Sequence, residues 1–235
     1  MVQPVIFDLY HTLIHGANDE RDRVVAEMAV MVNVAPDALV NAYHDTWRDR
    51  MVRWTVEETI LILSRRLGAD PSREQVAHAG EHRRALACRV LATVPAATLD
   101  ALDSLRADGH RLALISNATS DTAEAWPQSP LAERFDVVVF SCDVGVAKPD
   151  SAIYLTATDR LGADPANCIY VGDGADEELA GATAAGLTTL RITELNDTDP
   201  DWQGPTLAAI GDLPGLLRHR YAHLQTDNKT AGTRR

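Results

Sequence analysis

Five short apolar runs punctuate this chain, and each gives way abruptly to polar residues: Val5-Ile6-Phe7 before Asp8, Arg111 to Ser116, Asp136 to Ser141, Cys168 to Val171 and Leu187 to Ile192. Helical spacing fills the gaps between the last four and just before them, over Ala96 to Ala107 (closed by Gly109), Asp121 to Trp126, Asp150 to Leu161 and Glu177 to Ala185. Strand, helix, strand repeated in this way predicts right-handed crossovers and a parallel sheet. Such a sheet binds ligands at the carboxyl edge of its strands. Four polar clusters fall where apolar runs end: Asp8 with Tyr10, His11 and Thr12; Ser116-Asn117; Ala147-Lys148-Pro149-Asp150; and Gly172-Asp173-Gly174.

Between the first run and the rest, the pattern is different. Val24, Val25, Met28 and Val32 recur at helix period, as do Leu39, Ala42, Tyr43 and Trp47, then Val56, Ile60, Leu61, Leu63 and Leu67. Pro36 and Gly68-Ala69-Asp70-Pro71 punctuate these stretches. The expectation is an all-helical insert of about four helices, with Trp47 and Trp54 on one helix face.

With 235 residues, 46% hydrophobic and 24% charged, the chain is long enough for a real core and reads as an ordinary globular protein. Its net charge of −12 argues against nucleic acid as a partner, because phosphates call for a basic face. Cys88, Cys142 and Cys168 are odd in number and lack metal-site spacing, as expected of free thiols in a reducing compartment. The N-terminus runs straight into a strand and no run of about 18 apolar residues occurs. The expectations are a cytoplasmic protein without signal peptide or membrane partner, a small-molecule substrate, and a monomer or homodimer.

The order of the four clusters, with Asp first, Ser-Asn second, Lys third and acids last, resembles the haloacid dehalogenase superfamily of aspartate-nucleophile hydrolases. The resemblance covers roughly residues 4 to 193. It implies a doubly wound parallel α/β sheet with an inserted all-helical cap. The core would be residues 1–15 plus 92–222 and the cap 16–91, with 223–235 a polar, disordered tail. It further implies that Asp8 attacks an electrophile to give a covalent aspartyl intermediate. Thr12 lies close enough in sequence to hydrogen-bond Asp8 and counts, with Ser116 and Asn117, as a substrate-binding candidate. Ser116 and Asn117 would hold anionic oxygens of the substrate. Lys148 would neutralise Asp8 and Asp173. Taken singly, an Asp at a loop or a Lys on a surface is ordinary, and the motif order is what lends them meaning.

Position 10 separates the branches. The superfamily's phosphatases carry a second Asp there, which protonates the leaving group and then activates water. The 2-haloacid dehalogenases carry Tyr, as does this chain, because halide leaves without a proton. His11 stands where the superfamily usually has Gly and either fills space or supplies a proton. The fourth cluster points the other way. Asp173 and Glu178, the latter three residues before Gly181-Ala182, occupy the places of acids that bind Mg²⁺ together with the nucleophile in metal-dependent members. The dehalogenases usually lack the first of these acids, and have Asn where this chain has Ala175. Asp176 and Glu177 read as solvated charges of a first helical turn. Trp47-Arg48 resembles the Trp-Arg pair of the dehalogenase cap, which makes Arg48 a substrate-binding candidate beside a plain helix-face reading.

Three functions follow as expectations. The first is displacement at an sp³ carbon, of halide or by opening a strained epoxide or aziridine whose heteroatom His11 or Tyr10 would protonate, then ester hydrolysis, with no cofactor if dehalogenase-like. The second is a Mg²⁺-dependent phosphatase of a small organic phosphate, with Asp8, Asp173 and Glu178 as ligands. The third is a degenerate binding protein that keeps the fold.

Overall fold

The computed structural model describes residues 2–219, so the tail expected at 223–235 lies outside the described residues. Strand β1 (Val5–Phe7) is followed by five helices: α1 (Asn18–Met31), α2 (Pro36–Asp45), α3 (Trp47–Val52), α4 (Val56–Arg66) and α5 (Arg73–Ala92). The alternating part then runs α6 (Ala96–Ala107), β2 (Leu112–Ser116), α7 (Ser120–Ala125), β3 (Val137–Phe140), α8 (Ser141–Val144), α9 (Ser151–Leu161), β4 (Ile169–Gly172), α10 (Glu178–Ala184), β5 (Thr188–Ile192) and β6 (Thr206–Leu207). The backbone is helical again over 213–219.

The six strands form one parallel sheet in the order β3-β2-β1-β4-β5-β6. The first strand in sequence therefore lies inside the sheet, with Phe7 opposite Leu114 on one side and Val171 on the other. The chain grows outward through β2 and β3, then crosses back to β4, so the order reverses at β1 and β4. Ligand crevices of open α/β sheets sit at such a reversal.

Strands β1, β2 and β4 are buried along their whole length, as a sheet covered by helices on both faces requires. Side chains alternate between the faces. Val5, Phe7, Leu112 and Leu114 join one core with Leu102 and Leu105 of α6. Ile6, Ala113 and Ile115 join the other with Ile153 and Tyr154 of α9 and Leu179 of α10. A third core lies wholly within the helical segment, built from Val25, Met28, Leu39, Tyr43, Ile60 and Leu63 among others. The long helix α5 serves two of these cores, Leu86 facing the helical one and Leu91 the sheet.

Local chemistry sets the helix starts. Thr55 and Glu58 cap α4 reciprocally, Thr55 Oγ1 accepting from the Glu58 N–H at 3.2 Å and Glu58 Oε2 from the Thr55 N–H at 2.8 Å. Ser72 and Gln75 do the same for α5. Each closes two otherwise unpaired N–H groups. The helical segment has five helices rather than about four, because a break at Thr46 separates α2 from α3. Helix α3 ends at Val52, so Trp54 is off the helix and does not share a face with Trp47. Its ring packs at the edge of the helical core, with the Arg66 guanidinium 5.1 Å from its centroid. No single helix among the described residues is long and apolar enough to cross a membrane.

Candidate active site

The loop leaving β1 turns back on itself. The N–H of Asp8 donates to the carbonyl of Val171 (2.9 Å), continuing the ladder to β4, while the N–H of His11 donates to Ile14 O (2.7 Å) and that of Ile14 to Leu9 O (3.1 Å). The turn places His11 in the left-handed region, at φ 61°. That conformation is uncommon for a residue with a Cβ and accounts for glycine being usual at this place in the resembling enzymes. The His11 ring lies on Gly16, where an added Cβ would come within 2.2 Å of Nε2.

Asp8 is 5% exposed at the floor of a cavity of about 440 Å³ between the sheet edge and the helical segment. The Lys148 ammonium, itself buried, donates to Asp8 Oδ1 and to Glu178 Oε2. Tyr170 O–H donates to the same Glu178 oxygen at 2.7 Å, and the Gly174 N–H donates to Glu178 Oε1 at 3.0 Å. Asp173 does not touch Lys148. Its Oδ2 accepts from Thr198 Oγ1 and its Oδ1 from the Ala175 N–H. The lysine therefore bridges Asp8 and Glu178 rather than Asp8 and Asp173, which corrects the pairing drawn from the sequence.

Three buried carboxylates face one ammonium, and the electrostatics follow from that imbalance. Against the lowering effect of burial, Asp8 and Glu178 push the Lys148 pKa up, so it stays charged. Burial first, and then the charge of Asp173, raise Asp8 despite Lys148. Burial and the charge of Asp8 push Glu178 up to about 8. Glu178 thus takes up a proton most readily while Asp8 is ionised. Oxygens of Asp8, Asp173 and Glu178 also lie within 4.8 Å of one another, a donor set suited in kind to a hard cation such as Mg²⁺.

Two glycines let the acidic turn approach this cluster. A Cβ at Gly172 would fall 2.1 Å from Glu178 Oε1, and one at Gly181 would fall 2.6 Å from the backbone oxygen of Pro149. The second contact is with backbone, which cannot swing aside. Gly181→Ala is therefore expected to cost about 1–3 kcal/mol, as overpacking does, read as a lowered urea midpoint at unchanged m-value. The acidic turn is itself strained, with Asp176 at φ 54° and Glu177 at φ 58°. Adjacent left-handed residues of this kind cluster at functional sites.

Several residues depart from their expected surroundings. Thr12 Oγ1 is buried without a hydrogen-bond partner among the described residues, so it does not bond Asp8. The Asn117 amide is fully engaged, Nδ2 donating to the Lys148 carbonyl (3.1 Å) and to Asp176 Oδ2 (2.9 Å), and Oδ1 accepting from the Lys148 N–H (2.8 Å). It shapes the lysine segment and has no N–H left for a ligand. Asp176, read from the sequence as a solvated charge, is its partner and lines the cavity. Ser116 lines the cavity too, and its buried Oγ has no partner among the described residues. Arg48 is not part of the cavity lining; its guanidinium lies 5.2 Å from the centroid of its neighbour Trp47. Arg21, Arg50 and Arg83 line the cavity instead. Tyr10 lines it as well, its hydroxyl 2.9 Å from Thr122 Oγ1 and pushed by burial up to about 12.

The profile of the haloacid dehalogenase-like hydrolases matches residues 3–186. The chain belongs to that family. Among curated haloacid dehalogenase-like relatives, a glyceraldehyde 3-phosphate phosphatase of Methanopyrus kandleri is 33% identical over 134 residues, 56% of each chain. The (S)-2-haloacid dehalogenase 1 of Pseudomonas sp. strain CBS-3 is 30% identical over 120 residues, 49% of this chain and 52% of that one. The chain thus spans about half the length of these relatives. In fold, a 2-haloacid dehalogenase from Pseudomonas syringae pv. tomato DC3000 superposes with a TM-score of 0.68 at 21% identity, covering 94% of this chain and all of the other. A likeness at that identity speaks to the haloacid dehalogenase-like fold. Phosphatases and dehalogenases stand side by side among the relatives, and the choice between them falls to the residues of the site.

Proposed function

We propose that this hydrolase displaces a leaving group from an sp³ carbon with Asp8 and then hydrolyses the resulting ester, and that the helical segment closes the site as a cap. The observation that carries this reading is Tyr10. A phosphatase of this family would place a carboxylate two residues after the nucleophile. Here that place holds a phenol paired with Thr122 and raised to about 12. Such a group neither accepts a proton from water nor gives one readily near neutral pH. A halide leaves without a proton and makes no demand on it, whereas a ring heteroatom would need a proton from another group, such as His11, which lines the same cavity.

In the first step a carboxylate oxygen of Asp8 forms a bond to the carbon while the leaving group departs with the electron pair. Lys148 holds the carboxylate for this attack. Esterification removes the charge of Asp8, which is one cause of the raised pKa of Glu178. Glu178 then releases its proton to solvent and is held as a carboxylate by Lys148. It takes the proton of a water that attacks the Asp8 carbonyl carbon, a proton it passes on to the product oxygen. The acyl–oxygen bond breaks, the product oxygen is protonated, and Asp8 is regenerated. Glu178→Gln is expected to stop the cycle at the ester, seen as a mass increase on the peptide containing Asp8.

A phosphatase remains the second reading, favoured by the Asp8, Asp173 and Glu178 oxygens. Those three would hold Mg²⁺, which would neutralise phosphoryl oxygens. The two readings separate in one assay. The protein is incubated with 2-chloropropionate and, separately, with sugar and nucleotide phosphates with and without Mg²⁺. Chloride release that survives EDTA, with ¹⁸O from water entering Asp8, supports carbon displacement. Phosphate release abolished by EDTA reverses the assignment.

A further inference from the structure

Arg50 is an unusual guanidinium. It is 5% exposed, lies on the helical wall of the cavity whose floor carries Asp8, and has no carboxylate within 4.0 Å among the described residues. Buried charges are ordinarily paired. The other two arginines of that wall are: Arg83 Nη1 lies 3.0 Å from Asp121, and Arg21 Nε 3.1 Å from Asp22. Arg50 instead stacks on the Tyr43 ring at 3.5 Å and gives Nε and Nη2 to the Tyr43 carbonyl at 3.2 and 2.9 Å. That carbonyl is near the C-terminal end of α2, where the helix supplies only a fractional negative charge. Nη1 has no partner among the described residues. Burial, with Arg83 and Arg21 nearby, works against the charge of Arg50.

We infer that Arg50 receives an oxyanion carried by the substrate, so that the substrate is an organic acid whose anionic group lies apart from the carbon attacked by Asp8. This rests on Asp8 being the attacking group, but not on the nature of the leaving group. Stacking on Tyr43 fixes the plane of the guanidinium, and a fixed fork recognises carboxylate or phosphate with direction as well as charge. The cavity lining also includes the apolar side chains of Trp47, Met51, Leu86 and Val90. At about 440 Å³ the cavity falls in the range of sites for whole small ligands, roughly 300–1,000 Å³. These features together describe an acid with an apolar body, larger than a two- or three-carbon haloacid.

Unreactive probes test this separately from turnover. Binding of hexanoate, hexanamide and hexylphosphonate is measured by calorimetry on the native protein, Arg50→Met and Arg50→Lys. Hexanoate should bind the native protein about 10- to 100-fold more tightly than hexanamide, the scale of a hydrogen bond to a charged group. Arg50→Met should remove that difference, and Arg50→Lys should retain part of it. Comparing hexanoate with hexylphosphonate tells carboxylate from phosphoryl recognition. Equal binding of hexanoate and hexanamide by the native protein overturns the inference even if the Met variant does not fold. So does undiminished hexanoate binding by a folded Arg50→Met. Oxyanion selectivity in a protein that later proves inert toward sp³ electrophiles would instead leave Arg50 assigned and remove the carbon-displacement reading.

Discussion

Replacing Asp8 by Asn is expected to lower turnover by about 10⁴-fold or more, the scale on which removing a covalent nucleophile acts, and to leave the fold intact. Asn is nearly isosteric, and the side chain sits in a tight floor where shape matters more than charge for packing. Lys148 keeps Glu178 as its partner in the variant. With one buried negative charge removed, Glu178 loses a cause of its raised pKa, so the three remaining groups are better balanced than before. A melting temperature equal to or above that of the native protein, with no detectable ester by mass, is the outcome that fits. Substantial activity would take the nucleophile role from Asp8.

Lys148→Met should have the largest effect on stability. The side chain is 4% exposed, and its loss leaves Asp8, Asp173 and Glu178 buried together without a cation. Breaking a buried ion pair from one side costs about 3–5 kcal/mol. The pH dependence of the loss is predictable in sign. Without the lysine, the only route to neutrality is protonation, so Asp8 and Glu178, both already raised by burial, have higher pKa values folded than unfolded. Such groups stabilise the fold at low pH and cease to do so as pH rises through their folded pKa. Glu178 is already raised to about 8 with the lysine present. The variant should therefore approach native stability near pH 5 and fall furthest below it above pH 8, as urea unfolding at the two pH values would show. A uniform loss across that range would mean that packing of the lysine stem, and not its charge, is what the site uses.

Much of this was legible in the residues, for identifiable reasons. The strands could be placed because each apolar run is short and gives way to polar residues or Gly, and Lys148 because Pro149 and a new helix fix its position at the edge. The boundaries of β1, α6 and α9 came within a residue or so of the structure. Strand β6 escaped notice because two residues carry no periodicity. The cavity arginine escaped for a different reason. Arg48 and Arg50 are two apart and so point to different sides of a helix, and the break at Thr46 that sets the phase of α3 has no Gly or Pro to announce it. The role of Asn117 as a brace for the Lys148 backbone depends on a contact 31 residues away that no local pattern encodes. Tyr170 sits within an apolar strand, where no local pattern marks a hydroxyl that reaches Glu178.

The interior position of β1 bears on how the molecule is made. Its three residues leave the ribosome before those of every other strand, yet Val5 pairs with Leu112 and with Ile169. Nothing that the early chain offers can hold them in place. The five helices that follow have a core of their own and can collapse while synthesis continues, but Asp8 stays an unpartnered acid on a loose tether until the fourth strand arrives. Long-range pairings of this sort slow folding and leave apolar segments unprotected meanwhile. Nascent chains halted before residue 169 should therefore resist protease within the helical segment while β1 is still cut.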